Sequence, residues 1–118
     1  MTSREEGLRG EETAIETLKQ KGYKIVERNH RNRLGEIDVI AEEGGFLVFV
    51  EVKKRNTPSF GEAVCAIDEK KKRHLVKAAL FYLKTHRCAD RRVRFDVIGI
   101  DADRIKLVKN AFLVEAYG

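Results

Sequence analysis

Cysteine is scarce in this chain: Cys65 and Cys88 are the only two among 118 residues. They show neither CxxC spacing nor a histidine cluster nearby, and the charged start MTSREEGLRGEE holds no apolar signal core. Both features read as reduced thiols of a cytoplasmic protein. No apolar run approaches the ~18 residues of a membrane span, so no membrane association is expected. A GxxxxGK(S/T) loop is absent, which argues against a P-loop NTPase. There is no internal repeat and no low-complexity linker. The single proline, Pro58, falls in a segment that reads as a loop from Asn56 to Ala66. His30, His74 and His86 are scattered without an evident partner and are expected on the surface.

What remains is a chain that is 42% hydrophobic and 36% charged, with a net charge of +5. That composition suits one soluble globular domain over residues 1–118 and argues against disorder. The basic balance makes nucleic acid or another anionic surface a plausible partner, but says nothing about fold.

Ser3 to Lys21 reads as a helix. Ser3 and Glu6 fit a capping box, and Gly22 is a natural stop. Its apolar residues Leu8, Ala14, Ile15 and Leu18 point, at ~100° per residue, in nearly the same direction as Glu11. Glu11 therefore sits in the buried stripe, while Glu12 and Glu16 do not. Tyr23 to Asn29 reads as a short strand, followed by a basic connector, His30-Arg31-Asn32-Arg33.

Two apolar strands then flank Gly44-Gly45, a pair suited to a type I′ turn. With these as the turn, Glu43 pairs with Phe46, Asp38 falls opposite Glu51, and Glu36 falls opposite Lys53. Period-2 alternation places these four charged residues on one face, together with Ile40, Leu47 and Phe49. The other face, Ile37, Val39, Ala41, Val48, Val50 and Val52, is wholly apolar. A hairpin buried on both sides predicts an α/β protein with a central mixed sheet flanked by helices. Asp68 is placed to cap a second helix running to about His86, with Leu75, Val76, Ala79 and Leu83 on its core face. Its first turns carry Lys70, Lys71, Lys72 and Arg73, where cations oppose the helix dipole and folding gains nothing evident. Val93 to Ile100 reads as another strand, Asp101 to Asp103 as a turn and Ile105 to Val108 as a last strand. The apolar tail Asn110 to Val114 is expected to dock on the body.

Carboxylates facing each other across a strand pair need an opposite charge beside them. Lys53 supplies one, and a divalent cation would supply more. Asp38 and Glu51, with Glu11 as a third oxygen ligand, suit Mg²⁺ or Mn²⁺. Such a set suits metal-assisted phosphodiester hydrolysis, with Lys53 orienting the attacking water or stabilising the transition state. Arg31, Arg33, Arg55, Lys70, Lys71, Lys72 and Arg73 are candidate phosphate contacts.

Asp38, then twelve intervening residues, then Glu51-Val52-Lys53 resembles the PD-(D/E)xK nuclease pattern, with Ile37 where the name has proline. A wider set is similar to the bacterial YraN family. It comprises Gly10-Glu11, Gly22-Tyr23, Glu27-Arg28-Asn29, GEIDVIA (35–41), LVFVEVKKR (47–55), Phe60-Gly61, Lys71, RFDVIGI (94–100) and Asn110-Ala111-Phe112. That family is described as endonuclease-like and similar in fold to archaeal Holliday junction resolvases. The resemblance implies a restriction-endonuclease-like fold and a metal-dependent DNA endonuclease, with branched DNA as a candidate substrate and a homodimer by analogy. It implies metal-binding roles for Asp38 and Glu51, a catalytic role for Lys53, and the position of an N-terminal helix glutamate for Glu11. Glu36 belongs to the GEID motif, and the register gives it a supporting place beside Lys53. A nucleic-acid-binding module that keeps the fold without cleaving is the alternative. A structural protein whose acids merely pair with Lys53 and nearby arginines is the third reading.

Overall fold

A computed structural model describes residues 3–54, 69–100 and 104–112, with side chains from Gly10 onward. The elements run α1 (Ser3–Gln20), β1 (Lys24–Asn32), β2 (Gly35–Glu43), β3 (Phe46–Lys54), α2 (Glu69–Thr85), β4 (Val93–Ile100) and β5 (Ile105–Val108). The strands form one mixed sheet in the order β1-β2-β3-β4-β5. Neighbours are antiparallel except β3 and β4, which run parallel. A parallel step needs a long crossover, and the segment carrying α2 supplies it.

Alternation along β3 sorts the core into two layers. Val48 and Val50 pack with Ala14, Ile15 and Leu18 of α1, whereas Leu47 and Phe49 pack with Leu75, Val76, Ala79 and Leu83 of α2. The helices therefore cover opposite faces, as the doubly buried hairpin predicts. Gly44 and Gly45 take φ of 59° and 84° and form the turn. The expected register holds from Glu43↔Phe46 to Val39↔Val50. Gly22 closes α1 with φ of 89°, its N–H donating to Lys19 O and that of Tyr23 to Leu18 O.

The segment His30–Asn32 belongs to β1 rather than to a connector. Asn32 explains the difference. Its Nδ2 donates to Ala78 O of α2 at 3.1 Å, and its Oδ1 accepts from Leu34 N at 2.9 Å, which moves the turn to Arg33-Leu34. His30 is not a surface residue, and His86, though exposed as expected, is not without a partner. His30 is half-buried, bonds Glu27 and Asn32, and sits edge-on to Tyr82, against which His86 stacks at 3.9 Å. His74 is exposed, as expected.

The tail docks through Phe112, stacked on Phe95 at 5.0 Å, and through Ala111 N–H donating to Phe95 O at 2.7 Å. Arg55, the loop Asn56–Ala66, Asp68, the turn Asp101–Asp103 and Leu113-Val114 lie outside the described residues, as do the side chains of Ser3, Glu6 and Leu8.

Gly35 opens β2 against the back of α2. A Cβ there would meet His74 O at 3.2 Å and the Ala78 methyl at 3.4 Å. Helix backbone cannot give way as a flexible side chain does. Gly35→Ala is therefore expected to lower stability by about 1–3 kcal/mol, read as a lower urea midpoint at unchanged m-value.

Candidate active site

The site forms where β1, β2 and β3 lose their regularity together. Arg28 pairs with Val39 and His30 with Ile37, so the register is constant across the rung between them. Yet Val39 packs in the α1 layer and Ile37, two residues away, in the α2 layer. Strict alternation would put both on one face. On β1 the same switch occurs: Arg28 reaches Glu12 of α1 at 2.5 Å, and His30 meets Tyr82 of α2. The break lies at Asn29, which has φ of 52°. Asparagine is among the residues that tolerate this left-handed conformation. The consequence falls on Asp38, at the facing position of β2.

Asp38 turns into the opening between β2 and β3. The paired ladder stops after Val39↔Val50, and Asp38 Oδ2 accepts the Val52 N–H at 2.8 Å. Asp38 and Glu51 lie within hydrogen-bonding reach of each other. Glu51 is 5% exposed, and its Oε2 has no hydrogen-bond partner among the described residues. Burial first, and then the Asp38 charge, push the Glu51 carboxyl up to about 7. Burial also lifts Asp38, while the Val52 N–H and the Lys71 charge work against the rise. Lys71 Nζ of α2 lies 3.6 Å from Glu51 Oε1.

Glu11 is half-buried on α1 and lines a small cleft with Asp38, Asn29 and Val52. Asn29 Nδ2 approaches its Oε2 at 3.5 Å, and the Glu11 charge adds to the rise at Asp38. Among the described residues no three Asp, Glu, His or Cys side chains gather tightly enough to form a ready-made metal cluster. Two carboxyls meet, and the third stands across the cleft. The donor set nonetheless fits a hard divalent cation. It offers carboxylate oxygens that repel each other, one of them buried and unsatisfied.

Lys53 is half-buried on β3, and its rung partner on β4 is Gly99, which places no side chain beside it. The expected Glu36–Lys53 contact is not formed. β2 and β3 have parted before that rung, and Glu36 is exposed, pairing with Arg31 of β1 at 3.3 Å. The shared face of four charges thus reduces to Asp38 and Glu51.

The basic candidates divide. Lys70 and Arg73 are exposed on α2, and Arg33 is exposed over the Phe81 ring at 5.4 Å. Lys71 faces Glu51, Lys72 lies between Glu69 and the Phe112 ring, and Arg31 holds Glu36.

A second polar centre escaped the sequence reading. Asp96 of β4 is fully buried and accepts from Tyr23 Oη at 2.6 Å, Arg94 Nε and Nη2 at 2.9 Å each, and Asn110 N at 2.9 Å. Its signal was available: an acid inside the apolar run RFDVIGI, the same kind of anomaly that marked Asp38. Every acceptor of Asp96 is occupied from within the chain, so it is a strut rather than a reactive group.

Comparison with known proteins adds family but no activity. A family model described as "Uncharacterised protein family UPF0102" matches residues 10–100. A UPF0102 protein of Persephonella marina is 45% identical over 90% of this chain and 91% of its own length. One from Caldicellulosiruptor saccharolyticus is 43% identical over 95% of this chain and all of its own length, and one from Legionella pneumophila is 42% identical over 93% and 96%.

Proposed function

The chain belongs to the uncharacterised protein family UPF0102, and from that premise we propose that it is a divalent-metal-dependent DNA endonuclease built on a restriction-endonuclease-like core. The observation that carries the reading is the pairing of half-buried Asp38 with buried Glu51, whose Oε2 has no partner among the described residues. Folding alone gives no reason to set two repelling carboxyls, one of them buried, where the β2–β3 ladder ends.

Asp38 and Glu51 would hold Mg²⁺ or Mn²⁺, with Glu11 across the cleft for a ligand reached through water. The bound ion supplies Lewis-acid polarisation of the scissile phosphate and a water of lowered pKa. The Val52 N–H fixes one Asp38 oxygen and so the direction of the other. Lys53, half-buried and paired on β4 with Gly99, which has no side chain to crowd it, would orient the attacking water and offset charge developing on the phosphate. Lys71 screens Glu51 until the phosphate approaches. Hydrolysis adds water across one P–O bond, leaving a phosphomonoester and an alcohol. Lys70 and Arg73 supply exposed positive charge for the flanking backbone.

The test compares the wild type with Lys53→Ala on single-stranded, duplex, flapped and four-way DNA in Mg²⁺ and Mn²⁺. A roughly hundredfold or greater loss of cleavage with retained DNA binding is expected. Cleavage that Lys53→Ala leaves unchanged removes Lys53 from the mechanism. A second reading, a nucleic-acid-binding module that does not cut, is favoured by the Lys71–Glu51 contact, since an internal cation already stands beside the carboxyl pair. Salt-sensitive binding with no cleavage on any substrate would select it.

A further inference from the structure

The outer face of α2 carries a groove that the carboxylate pair does not use. It lies where the β1–β2 turn meets the second half of the helix and has a volume of about 570 Å³, inside the ~300–1,000 Å³ range of ligand pockets. Leu34, Leu80 and Phe81 form an apolar floor, with Leu34 and Leu80 exposed at 43% and 45%. Arg33, Lys77 and Lys84 surround it, and among the described residues no acidic side chain lines it. The Arg33 guanidinium stands 5.4 Å from the Phe81 ring centroid. Folding does not call for this arrangement, since exposed leucines and unneutralised cations contribute little to the core.

The groove is also not an isolated patch. Lys70, Arg73, Lys77, Phe81 and Lys84 recur every three or four residues and so share one stripe of α2. From Lys70 to Lys84 is fourteen residues, about 21 Å at 1.5 Å per residue. Lys71, next to the first of them, faces Glu51. One end of the stripe therefore lies at the level of the helix turn whose Lys71, about 100° round from Lys70, faces Glu51, and the other ends in the groove.

We infer that the groove binds an unpaired stretch of nucleic-acid strand, with a base stacked on Phe81 beside Arg33 and neighbouring phosphates on Lys77 and Lys84. This rests on the nucleic-acid reading above and not on cleavage. Charge selects the occupant. A second copy of the chain placed on this face would set the same cations against one another with no acid between them. A duplex would give its phosphates to the lysines but no base to the apolar floor. An unpaired strand matches both parts, because every base has a face that stacks on an aromatic ring and each linkage carries one negative charge. A strand running along the stripe would lead from the groove to the carboxyl pair.

The test is fluorescence anisotropy of a labelled oligo-dT 12-mer and of a 12-base-pair blunt duplex, in EDTA so that no cleavage intervenes. Phe81→Ala and Phe81→Leu are each expected to weaken oligo-dT binding roughly tenfold, the loss of about one stacked base, and to change duplex binding less than twofold. Lys77→Gln with Lys84→Gln is expected to reduce the slope of log K against log salt by roughly 1.4 for two single-strand phosphates. Loss with Phe81→Ala but not with Phe81→Leu, which keeps the apolar packing, would assign the effect to folding and overturn the inference. So would oligo-dT binding indifferent to all four substitutions. Binding of poly-glutamate, or self-association in sedimentation, that these substitutions abolish while oligo-dT binding stays intact would hand the groove to an acidic protein or to a second copy. If the oligo-dT pattern holds and no DNA is ever cut, the groove stands and only the endonuclease reading falls.

Discussion

Glu51→Gln is expected to abolish metal-dependent cleavage while making the metal-free protein more stable. Both effects come from the same geometry. The carboxyl is 5% exposed, faces Asp38 and has one oxygen without a partner among the described residues, so its charge is costly beyond what Lys71 offsets unless a metal cation sits there. An amide removes the charge and turns a repelling acceptor into a donor toward Asp38. Lys71 loses a partner at 3.6 Å, but its side chain is 47% exposed and is solvated cheaply. Cleavage should fall by roughly 10³-fold or more, the scale of removing one member of a catalytic unit.

The stability gain carries a pH signature. Glu51 titrates near 7 in the folded chain and at an ordinary 4.5 when unfolded. Between those values the folded state holds a proton that the unfolded state has released, so rising pH favours unfolding. The wild type therefore loses stability through this group from about pH 4.5 to about pH 7, and the loss is complete above that. At about 1.4 kcal/mol per unit the full effect is on the order of 3 kcal/mol. Glu51→Gln escapes it. The difference in Tm between variant and wild type, measured in EDTA, should be near zero at pH 4.5 and reach several degrees at pH 8. Added Mn²⁺ at pH 8 should raise the wild-type Tm and leave the variant's unchanged. A variant that melts below the wild type at pH 8 would mean the Glu51 charge is well accommodated without metal, and the main support for the metal reading would go.

The strands, the helices and most of the hairpin were legible because each rests on local rules. Gly44-Gly45 demanded the turn, the turn fixed the register, and the register sorted Val48 and Val50 from Leu47 and Phe49. The helical phase of Glu11 directed it toward the sheet, and it does line the cleft beside Asp38. What could not be read was the break in alternation. Period-2 reasoning assumes every residue keeps β geometry, and nothing local announces that Asn29 takes φ of 52°. That one conformation turns Asp38 into the fork and leaves Glu36 with Arg31. Lys71 stands out in the sequence only as one of four cations in a first turn where they oppose the helix dipole; its place 3.6 Å from Glu51 depends on how α2 lies against β3, which no local rule gives. The His30–Tyr82–His86 stack depends likewise on how β1 lies against α2.

Asp96→Ala should produce the largest loss of stability in the molecule. Its carboxyl takes four hydrogen bonds at 2.6–2.9 Å from three separated parts of the chain: Tyr23 after α1, Arg94 on β4 itself and Asn110 after β5. Arg94 is 11% exposed and would keep Glu43 at 2.7 Å as its one remaining anionic partner among the described residues. The Tyr23 hydroxyl, whose titration burial and the Asp96 bond hold far above its usual range, would keep only the Arg94 contact at 3.1 Å. Removing one partner of a buried ion pair and leaving the other desolvated costs about 3–5 kcal/mol, which for a domain of this size corresponds to a Tm lower by roughly 10 °C or more. The network lies in the α1 layer, and its three tethers close the body around β4 and β5. Asp96→Asn separates the terms. It keeps an acceptor for Asn110 N–H and for one Arg94 nitrogen but cancels the charge, so its loss should fall between zero and that of Asp96→Ala. Neither change touches the Asp38–Glu51 fork, so the pH-dependent difference between Glu51→Gln and Glu51 should persist in the Asp96→Asn background, the two sites adding within about 0.5 kcal/mol. A difference that collapses there would show that the fork is held open from the far side of the sheet rather than by Asn29 and Asp38.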